Sequence, residues 1–558
     1  MKIDKDALIL AQVLGGGGGI TPTGNQDIST LNEYDVTDKA TARVSADERA
    51  KITPEHITAG TTILGVAGSA VVPSGNQDIE TLSEYDVTAK ATARVSATER
   101  AKIIPENIKQ GETILGVEGS YSGGGGGVPS NDVNFIDYDG TIVYAYSAAD
   151  FANLSAMPDN PTHEGLTAQG WNWSLADAKS CVANNGFLDI GQMYITDNGK
   201  TRLYITIASI NLRTVGLYVG YSGSAGSTID WGDSSTPDAI PSSSSTYTTH
   251  TYASVGNYII SLSPTFGATI MLGTSSYSVI GKNDYVSTAN RAMLRKVELG
   301  SDVRFGDTAF ADLCALETMT VSLSIDFSTF SSVSFVSCYS LKSLSLPNGV
   351  TNLPVSKFSN CYSLSSISIP KTCTTINNSA FLGCGSLVRL SFPPGTQKGG
   401  NGINSCCDKC YSLKYVSIPD SIEVSGSYMY RYCTSLHEIT IPASMKYMGA
   451  FLFSYCSSLS KVTISEGVLQ IGGMSDCPSL VDVKLPSTVT SVKASAFTND
   501  YCFSLLDCTS CTAVPTLEHS NAFNSTSSGL QILVPSALYN DWIAASNWST
   551  YASKIVAV

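Results

Sequence analysis

Charge is scarce in this sequence: only 14% of its 558 residues are Asp, Glu, Lys or Arg. What charge there is runs negative, with 33 basic against 47 acidic residues and a net −14 at pH 7. Nucleic-acid binding draws on clustered Lys and Arg to neutralise phosphates, and no such cluster is present, so nucleic acid is excluded as an expected partner. Long apolar runs are missing as well. The stretch Ala7 to Leu14 is broken by Gln12 and falls far short of the ~18 residues that span a membrane, so no membrane insertion is expected. Lys2 and Lys5 are mixed with Asp4 and Asp6, and no small-residue cleavage site comes after them, which makes a poor secretory signal. The expectation is a chain that folds in a cytoplasm without an export route of its own.

Catalytic vocabulary is also thin. The five histidines, at 56, 163, 250, 437 and 519, are scattered through different segments. No nucleophile elbow, Walker loop or dinucleotide fingerprint occurs. His163-Glu164 lacks the second histidine of a metalloprotease helix and reads as a loop pair. Carboxylates for glycan hydrolysis need not be neighbours in sequence, but the repeated segments beyond residue 311 present Ser, Thr and Tyr far more often than Asp or Glu. No catalytic residue, cofactor or metal site is expected, and the chain is read as a non-enzyme.

What is abundant is hydrophobic residues (43%), 48 Gly and 27 Tyr. That composition suits β-rich modules with hydroxyl-bearing surfaces, and the length calls for roughly three to five of them. Residues 24–69 and 75–120 are a duplication offset by 51 positions, with 36 of 46 residues identical. Each copy has a strand-like alternation (Tyr34/Val36, Tyr85/Val87), then a segment of one or two helical turns N-capped by Ser45 or Ser96 and stopped by Pro54 or Pro105. Glycine runs at 15–19 and 123–127 act as flexible hinges around the pair. Residues 1–23 form a short leading segment suited to docking, and 121–130 a linker. Residues 131–208 read as a small α+β domain, with a hairpin at Asp139-Gly140, a helix from Ser174 to Ala183 and a second strand pair around Asn198-Gly199.

Residues 209–265 carry Trp231-Gly232-Asp233 and, further on, His250, Tyr252, Gly256 and Tyr258. This resembles a PKD-like β-sandwich, a kind of module that serves as a spacer or recognition domain in extracellular proteins. Asp230 and Asp233 read as turn-forming residues, with a calcium site as the alternative. Residues 266–310 are read as a transition and as the N-terminal cap of a repeat array.

From about 311 to 535 a unit C-x-S-L-x-x-φ-x-φ-P recurs, φ being apolar. Cysteines fall at 314, 338, 361, 384, 410, 433, 456 and 477, at spacings of 24, 23, 23, 26, 23, 23 and 21. Leucines keep step from Leu316 to Leu480. A period near 23 with one short strand per turn describes a solenoid whose rungs bury their apolar faces on one another. The pattern resembles the BspA-type leucine-rich repeat of bacterial, protist and phage surface proteins. Residues 536–558, with Trp542 and Trp548, suit a C-terminal cap. The expected fold class is therefore multidomain and mainly β: a C-terminal leucine-rich repeat solenoid preceded by a PKD-like β-sandwich and small α+β modules.

The ladder cysteines are expected to be buried thiols. The pairs Cys407/Cys410 and Cys508/Cys511 raise a zinc alternative, but 97 residues separate them instead of the usual 15–20. For binding, tyrosine joins a flat apolar face to a hydroxyl at small entropic cost. Tyr339, Tyr362 and Tyr411 come directly after ladder cysteines, in register. Tyr428, Tyr430, Tyr432, Tyr447 and Tyr455 lie across two adjacent rungs. All eight are candidate contact residues, with edge-covering structural roles as the alternative.

The order of duplicated modules, glycine hinges, small domains and repeat array resembles tail or virion fibre proteins of phages. That resemblance implies an exposed virion fibre, made in the host cytoplasm and assembled as a homo-oligomer, commonly a trimer. It also implies two kinds of partner: other virion proteins at the N-terminus, and a host-surface glycan or protein at the array. A bacterial surface adhesin and a capsule-degrading tail enzyme are the alternatives.

Overall fold

The computed structural model describes residues 132–281, 291–398, 403–494 and 496–558, together with the backbone of six short strands before residue 120. The chain divides into two compact units, residues 1–130 and 131–558. In the first, β1 (Asn25–Ile28) pairs in parallel with β2 (Thr41–Val44), and β3 (Asn76–Ile79) with β4 (Thr92–Val95), at matching positions of the duplication. Strands β5 (Thr113–Ile114) and β6 (Val117–Glu118) form a hairpin. The expected strands at Tyr34 and Tyr85, the helical turns after Ser45 and Ser96, the glycine hinges and the segment 1–23 lie outside the described residues.

In the second unit, Gly140 at φ 95° turns β7 (Val133–Ile136) back into β8 (Ile142–Tyr146), as the Asp-Gly signal predicts. Helix α1 (Ala148–Asn153), β9 (Leu166–Trp171), α2 (Leu175–Asn185) and β10 (Leu188–Thr196) complete a four-stranded sheet ordered β8-β7-β10-β9. Ser174 caps α2 by accepting from the Asp177 amide, and left-handed Gly186 ends it. Phe135, Phe151, Trp171, Val182 and Ile190 are among the side chains that form the core between helices and sheet.

The strands flanking Asn198-Gly199 do not pair with each other, contrary to the hairpin expectation. β10 stays with β7 and β9, whereas β11 (Thr201–Ile207) lies between β16 (Gly256–Ser263) and β18 (Leu294–Glu298). The turn hands the chain from one sheet to another. This second body is a sandwich, with one sheet ordered β14-β13-β16-β11-β18-β20 and another ordered β15-β12-β17-β19. Its remaining strands are β12 (Thr214–Gly223), β13 (Thr228–Asp230), β14 (Asp238–Ala239), β15 (Tyr247–Thr251), β17 (Ala268–Leu272), β19 (Val303–Phe305) and β20 (Thr318–Thr320). Sandwich strands therefore run on both sides of the expected borders at 208 and 265. The Trp-Gly-Asp residues form its corner. Trp231 is buried and stacks on His250 with ring centroids 4.9 Å apart, and Tyr252 donates its hydroxyl to the Trp231 carbonyl at 2.8 Å.

β17 pairs in parallel with β19 and β18 with β20, so both sandwich sheets pass directly into the solenoid. The first rung needs no separate cap because the sandwich edge covers it. Just beyond β20 the chain makes a short helix, α3 (Phe327–Ser332). From there one short strand per rung stacks in parallel, among them Ser343–Ser345 on Ser366–Ser368, Glu438–Ile441 on Lys461–Ile464, and Leu505–Asp507 on Gln531–Val534. The result is a β-solenoid of about 11 turns. A second ladder of two-residue strands, such as Asn352–Leu353 on Thr375–Ile376, closes the other side. The leucines of the repeat are fully buried. The far end is closed by α4 (Tyr539–Ala544) with buried Trp542 and Trp548, ring centroids 4.7 Å apart in an edge-to-face pair.

The thiol ladder has a hydrogen-bonding reason. Cys338 Sγ donates to the Phe310 carbonyl at 3.0 Å, Cys361 to Phe335 at 3.1 Å, Cys384 to Phe358 at 3.1 Å, and Cys477 to Phe453 at 3.2 Å. Each cysteine fills a small apolar slot and gives the buried carbonyl of the preceding rung a donor. All 15 cysteines are free thiols. Burial pushes Cys361 and Cys456 up to about 12, which keeps them protonated as donors. Cys314 is a correction. The stacked series Phe310–Phe335–Phe358–Phe381, at 5.3, 5.5 and 5.5 Å, places Leu313 in the first thiol slot, one residue before Cys314. Cys407 takes the aromatic slot of its rung and Cys410 the thiol slot. Cys508 fills a strand slot held by Leu485 in the rung before, since both amides donate to the next strand. The two C-x-x-C pairs thus belong to separate core columns. No group of three or more metal-ligating side chains is found among the described residues.

Asp500 takes the thiol's place in the rung after Cys477. Its Oδ1 accepts from the Cys477 amide at 2.5 Å, its Oδ2 has no partner, and burial pushes its pKa up to about 8. An unfolded chain releases this proton near pH 4, so between about pH 4 and 8 the folded state holds the extra proton and stability falls as pH rises. Asp500→Cys is expected to stabilise the array by roughly 2 kcal/mol at pH 8 and by little at pH 4. Urea melts at the two pH values check this; an equal gain at both would mean that ionisation is not the cause.

Candidate functional site

The solenoid turns its thiol-bearing arc with residues in the left-handed region. One sits immediately before each thiol slot: Asp312, Ser337, Asn360, Gly383, Lys409, Tyr432, Tyr455, Asp476 and Asn499. A second sits four residues earlier in five consecutive rungs: Ser356, Ser379, Ser405, Tyr428 and Phe451. Glycine, Asn, Asp and small polar residues tolerate this conformation best; a bulky aromatic there costs about 1 kcal/mol or more. Two adjacent rungs nevertheless place aromatics at all four positions.

These four side chains stack across the rungs. Tyr428 lies on Phe451 with centroids 5.3 Å apart and planes within 5°, and Tyr432 lies on Tyr455 at 4.6 Å and 12°. Phe451 and Tyr455 are each 41% exposed, and Tyr428 and Tyr432 are half-buried. Arg431 sits between the columns, its guanidinium carbon 4.4 Å from the Tyr428 ring and 5.3 Å from that of Tyr432. The buried carboxylate of Asp408 holds it in a fork, Nη2 to Oδ2 at 2.6 Å and Nε to Oδ1 at 3.1 Å. The Asp408 pairing raises the arginine pKa above its ordinary value.

The other candidate tyrosines fall elsewhere. Tyr430 is fully buried and stacks on Phe453 at 5.6 Å, so it is a core residue and offers no contact surface. Tyr447 belongs to the second strand ladder, bridged to Val424 and Gln470. Tyr339 and Tyr362 form an exposed stack of their own at 5.1 Å, and Gly385 separates them from Tyr411. Phe451 was not among the sequence candidates. Its signal is the 23-residue register, in which F-L-F-S-Y-C repeats the Y-M-Y-R-Y-C of the rung before.

The strand face of the first rungs is occupied by the chain's own α+β module. Asn172, fully buried, donates to the Leu346 carbonyl at 2.8 Å and accepts from Ser368 at 3.0 Å and from the Gly191 amide at 2.8 Å. Trp173 donates to the Ile369 carbonyl at 3.0 Å, and Ser391 to that of Phe187 at 3.1 Å. The rungs from 438 onward keep this face open, with Glu438, Thr440, Lys461, Asp482 and Lys484 exposed.

A family model described as a BspA type leucine rich repeat region matches residues 289–407 and 401–529, in six copies. Residues 289–529 are BspA-type leucine-rich repeats. The match does not include residues 209–265. No curated protein matches the chain. Among solved structures, the repeats are similar to a leucine rich cell surface protein of Faecalibacterium prausnitzii, at 18% identity over 45% of this chain and 83% of that one, TM-score 0.27. A leucine-rich repeat protein of Bacteroides ovatus matches at 20% identity over 47% and 84%, TM-score 0.28. The pneumococcal vaccine antigen PcpA matches at 10% identity over 53% and 87%, TM-score 0.25.

Two histidine–carboxylate pairs sit outside the BspA-type repeats. His163 Nε2 lies 2.7 Å from Asp137, packed edge-on to Tyr138 and Tyr194, and His250 Nε2 lies 2.7 Å from Asp233 beneath Trp231. Neither histidine is hydrogen-bonded to a serine, threonine or cysteine side chain. Asp230 and Asp233 accept from the Gly232 and Ser235 amides at 2.9 and 3.1 Å and so hold the turn, as the turn-forming reading expects. Ser235, through its side chain and its amide, and His250 hold the Asp233 carboxyl down at about 2. No helix among the described residues is long and apolar enough to cross a membrane.

Proposed function

We propose that this chain is a non-enzymatic surface-binding protein that attaches through its repeat array and, more narrowly, that it is a bacteriophage fibre recognising a host-surface glycan or protein. The observation that carries the binding reading is the exposed aromatic arc on a rigid solenoid. Exposed aromatics held by packed neighbours bind at small entropic cost. The fibre reading is supported by the duplicated modules and glycine runs in the sequence of residues 1–130, with 1–23 as the expected attachment segment. Homotrimeric assembly would multiply weak contacts by avidity.

The test is attachment of labelled residues 1–130 and 131–558 to candidate host cells, with immunogold labelling of phage particles by antibody to 131–558. The cut falls at 130 because one at 266 would split the sandwich. Binding by 131–558 alone and gold on particles are the expected results. Native protein in particle-free supernatant would favour the bacterial adhesin instead, and release of reducing sugar from host polysaccharide would favour a depolymerase. A light-scattering mass of one chain would count against the trimer.

A further inference from the structure

We propose that the four stacked aromatics of the arc, together with the Asp476–Asn499 pair of the rungs beyond, form a ledge that binds uncharged sugar units of a polysaccharide. The proposal rests on the surface-binding reading and specifies its ligand. Three independent features of the arc lead to it.

The first is conformational. Other rungs fill the same left-handed positions with Ser, Asn, Asp, Gly or, once, Lys, so the turn itself does not call for aromatics. Strained residues that the fold does not require are found at binding sites more often than elsewhere.

The second is shape. Beyond Phe451 and Tyr455, the next rung has Gly472, Gly473 and Asp476, so the aromatic stack ends at a step in the surface, with the Lys493 stem of the following rung lying over Gly472. The last two rings keep exposed surface there. A pyranose has one face of C–H bonds that packs on such a ring, and its hydroxyls need acceptors and donors close to the ring edge.

The third is the polar inventory. Asp476 Oδ1 accepts from Asn499 Nδ2 at 3.1 Å across the rungs. That leaves the second carboxylate oxygen, the second amide hydrogen and the amide oxygen for hydroxyl groups. Asp476 follows Ser475, whose carbonyl accepts from the Tyr455 amide at 3.1 Å, and its carboxylate raises the pKa of the Tyr455 hydroxyl. The sign of charge also discriminates. Arg431, the cation among the aromatics, is held by Asp408 in a bidentate pair, while Asp476 is negative. Lys493, whose stem lies over Gly472, sets a lysine of the rungs beyond against Asp476, so the ledge has no excess of positive charge to draw an acidic sugar and neutral polysaccharide is the better match.

The experiment uses the full chain and a variant carrying, at the four positions, the residue types of neighbouring rungs: Tyr428→Ser, Tyr432→Asn, Phe451→Ser and Tyr455→Asn. A second variant, Asp476→Asn, keeps a side chain suited to the left-handed turn and removes only the charged acceptor. Each is passed over immobilised amylose, a β-glucan, a galactomannan and hyaluronate, and tested on host cells; melting temperatures are recorded alongside. The wild type is expected to bind at least one neutral polymer. The quadruple variant should lose about tenfold in affinity without a lower melting temperature, and Asp476→Asn about threefold. Retention on none of the polymers, retention on hyaluronate alone, or equal binding by both variants overturns the ledge. A fall in melting temperature together with undiminished binding by Asp476→Asn marks the stack as structural and overturns it too. Wild-type binding to cells that is abolished by protease treatment, with none to the polymers, leaves the surface-binding reading standing with a protein partner and removes the ledge. Binding to neither cells nor polymers removes both.

Discussion

Lys357→Ala is expected to destabilise the repeat array by about 4 kcal/mol, because the lysine is fully buried and donates to three backbone carbonyls. The cause lies one rung earlier, in the short helix α3, which Asp326 caps at its start. A helix ends in carbonyls without intrahelical partners, and here the solenoid core lies against that end. Lys357 Nζ reaches back to the Phe330, Ser331 and Val333 carbonyls at 3.0, 3.3 and 2.8 Å. The rings of Phe330, Phe335 and Phe358 surround the amine at 5.3, 5.7 and 5.8 Å. Alanine fits the local backbone, since Ala380 holds the same place in the next rung. The loss therefore reports the amine and its stem.

Burial pulls the lysine down to about 7. The unfolded chain keeps this proton up to about pH 10, so between roughly pH 7 and 10 the unfolded state is the more protonated and stability rises with pH. Urea melts at pH 6 and 9 should show wild type gaining relative to Lys357→Ala across that range. A loss below about 1 kcal/mol at both would mean that the carbonyls find other partners.

The rungs were legible because their signal is local and redundant: a thiol, a leucine three residues on, and an apolar pair before proline. Where one element of the signal slipped, the others corrected it. Cys314 is two residues before Leu316, whereas every true ladder cysteine is three before its leucine. The fate of Tyr428, Tyr430 and Tyr432 was harder to see, because alternation along an arc reads like alternation along a strand. Left-handed turns on either side send the middle ring into the core and leave the outer two on the surface. The hairpin expected at Asn198-Gly199 failed because turn chemistry specifies a turn and not a partner. β11 finds its partners far along the chain, at 256–263 and 294–298. The docking of the α+β module did leave a trace, in the variable positions of the repeat. The strand residues beneath it are Ser343, Ser345, Ser366, Ser368 and Ser391, with Arg389 as the one charge and paired to Asp189 of the module, whereas the open rungs have Glu438, Lys461, Asp482 and Lys484 exposed. A motif written with x at those positions discards that contrast.

The same serines make the docking testable at Gly191, in the middle of β10. A side chain begun there would place its first carbon 2.0 Å from Ser345 Oγ, 2.4 Å from Ser345 Cβ and 3.0 Å from Ser368 Cβ. The contact cannot open easily: the Ser368 hydroxyl hydrogen is shared between the Asp189 carbonyl at 2.7 Å and Asn172 Oδ1 at 3.0 Å, and Asn172 ties the Gly191 amide to the array. Gly191→Ala is thus expected to cost about 3 kcal/mol through overpacking. Adding Ser345→Gly removes both of the shortest contacts and should recover most of that loss, an interaction energy of about 2 kcal/mol in a double-mutant cycle. Thermal melts of the four chains measure it. Additive effects, or a silent Gly191→Ala, would mean that module and array do not meet at these residues. The strand face of the early rungs would then be free to take a ligand of its own.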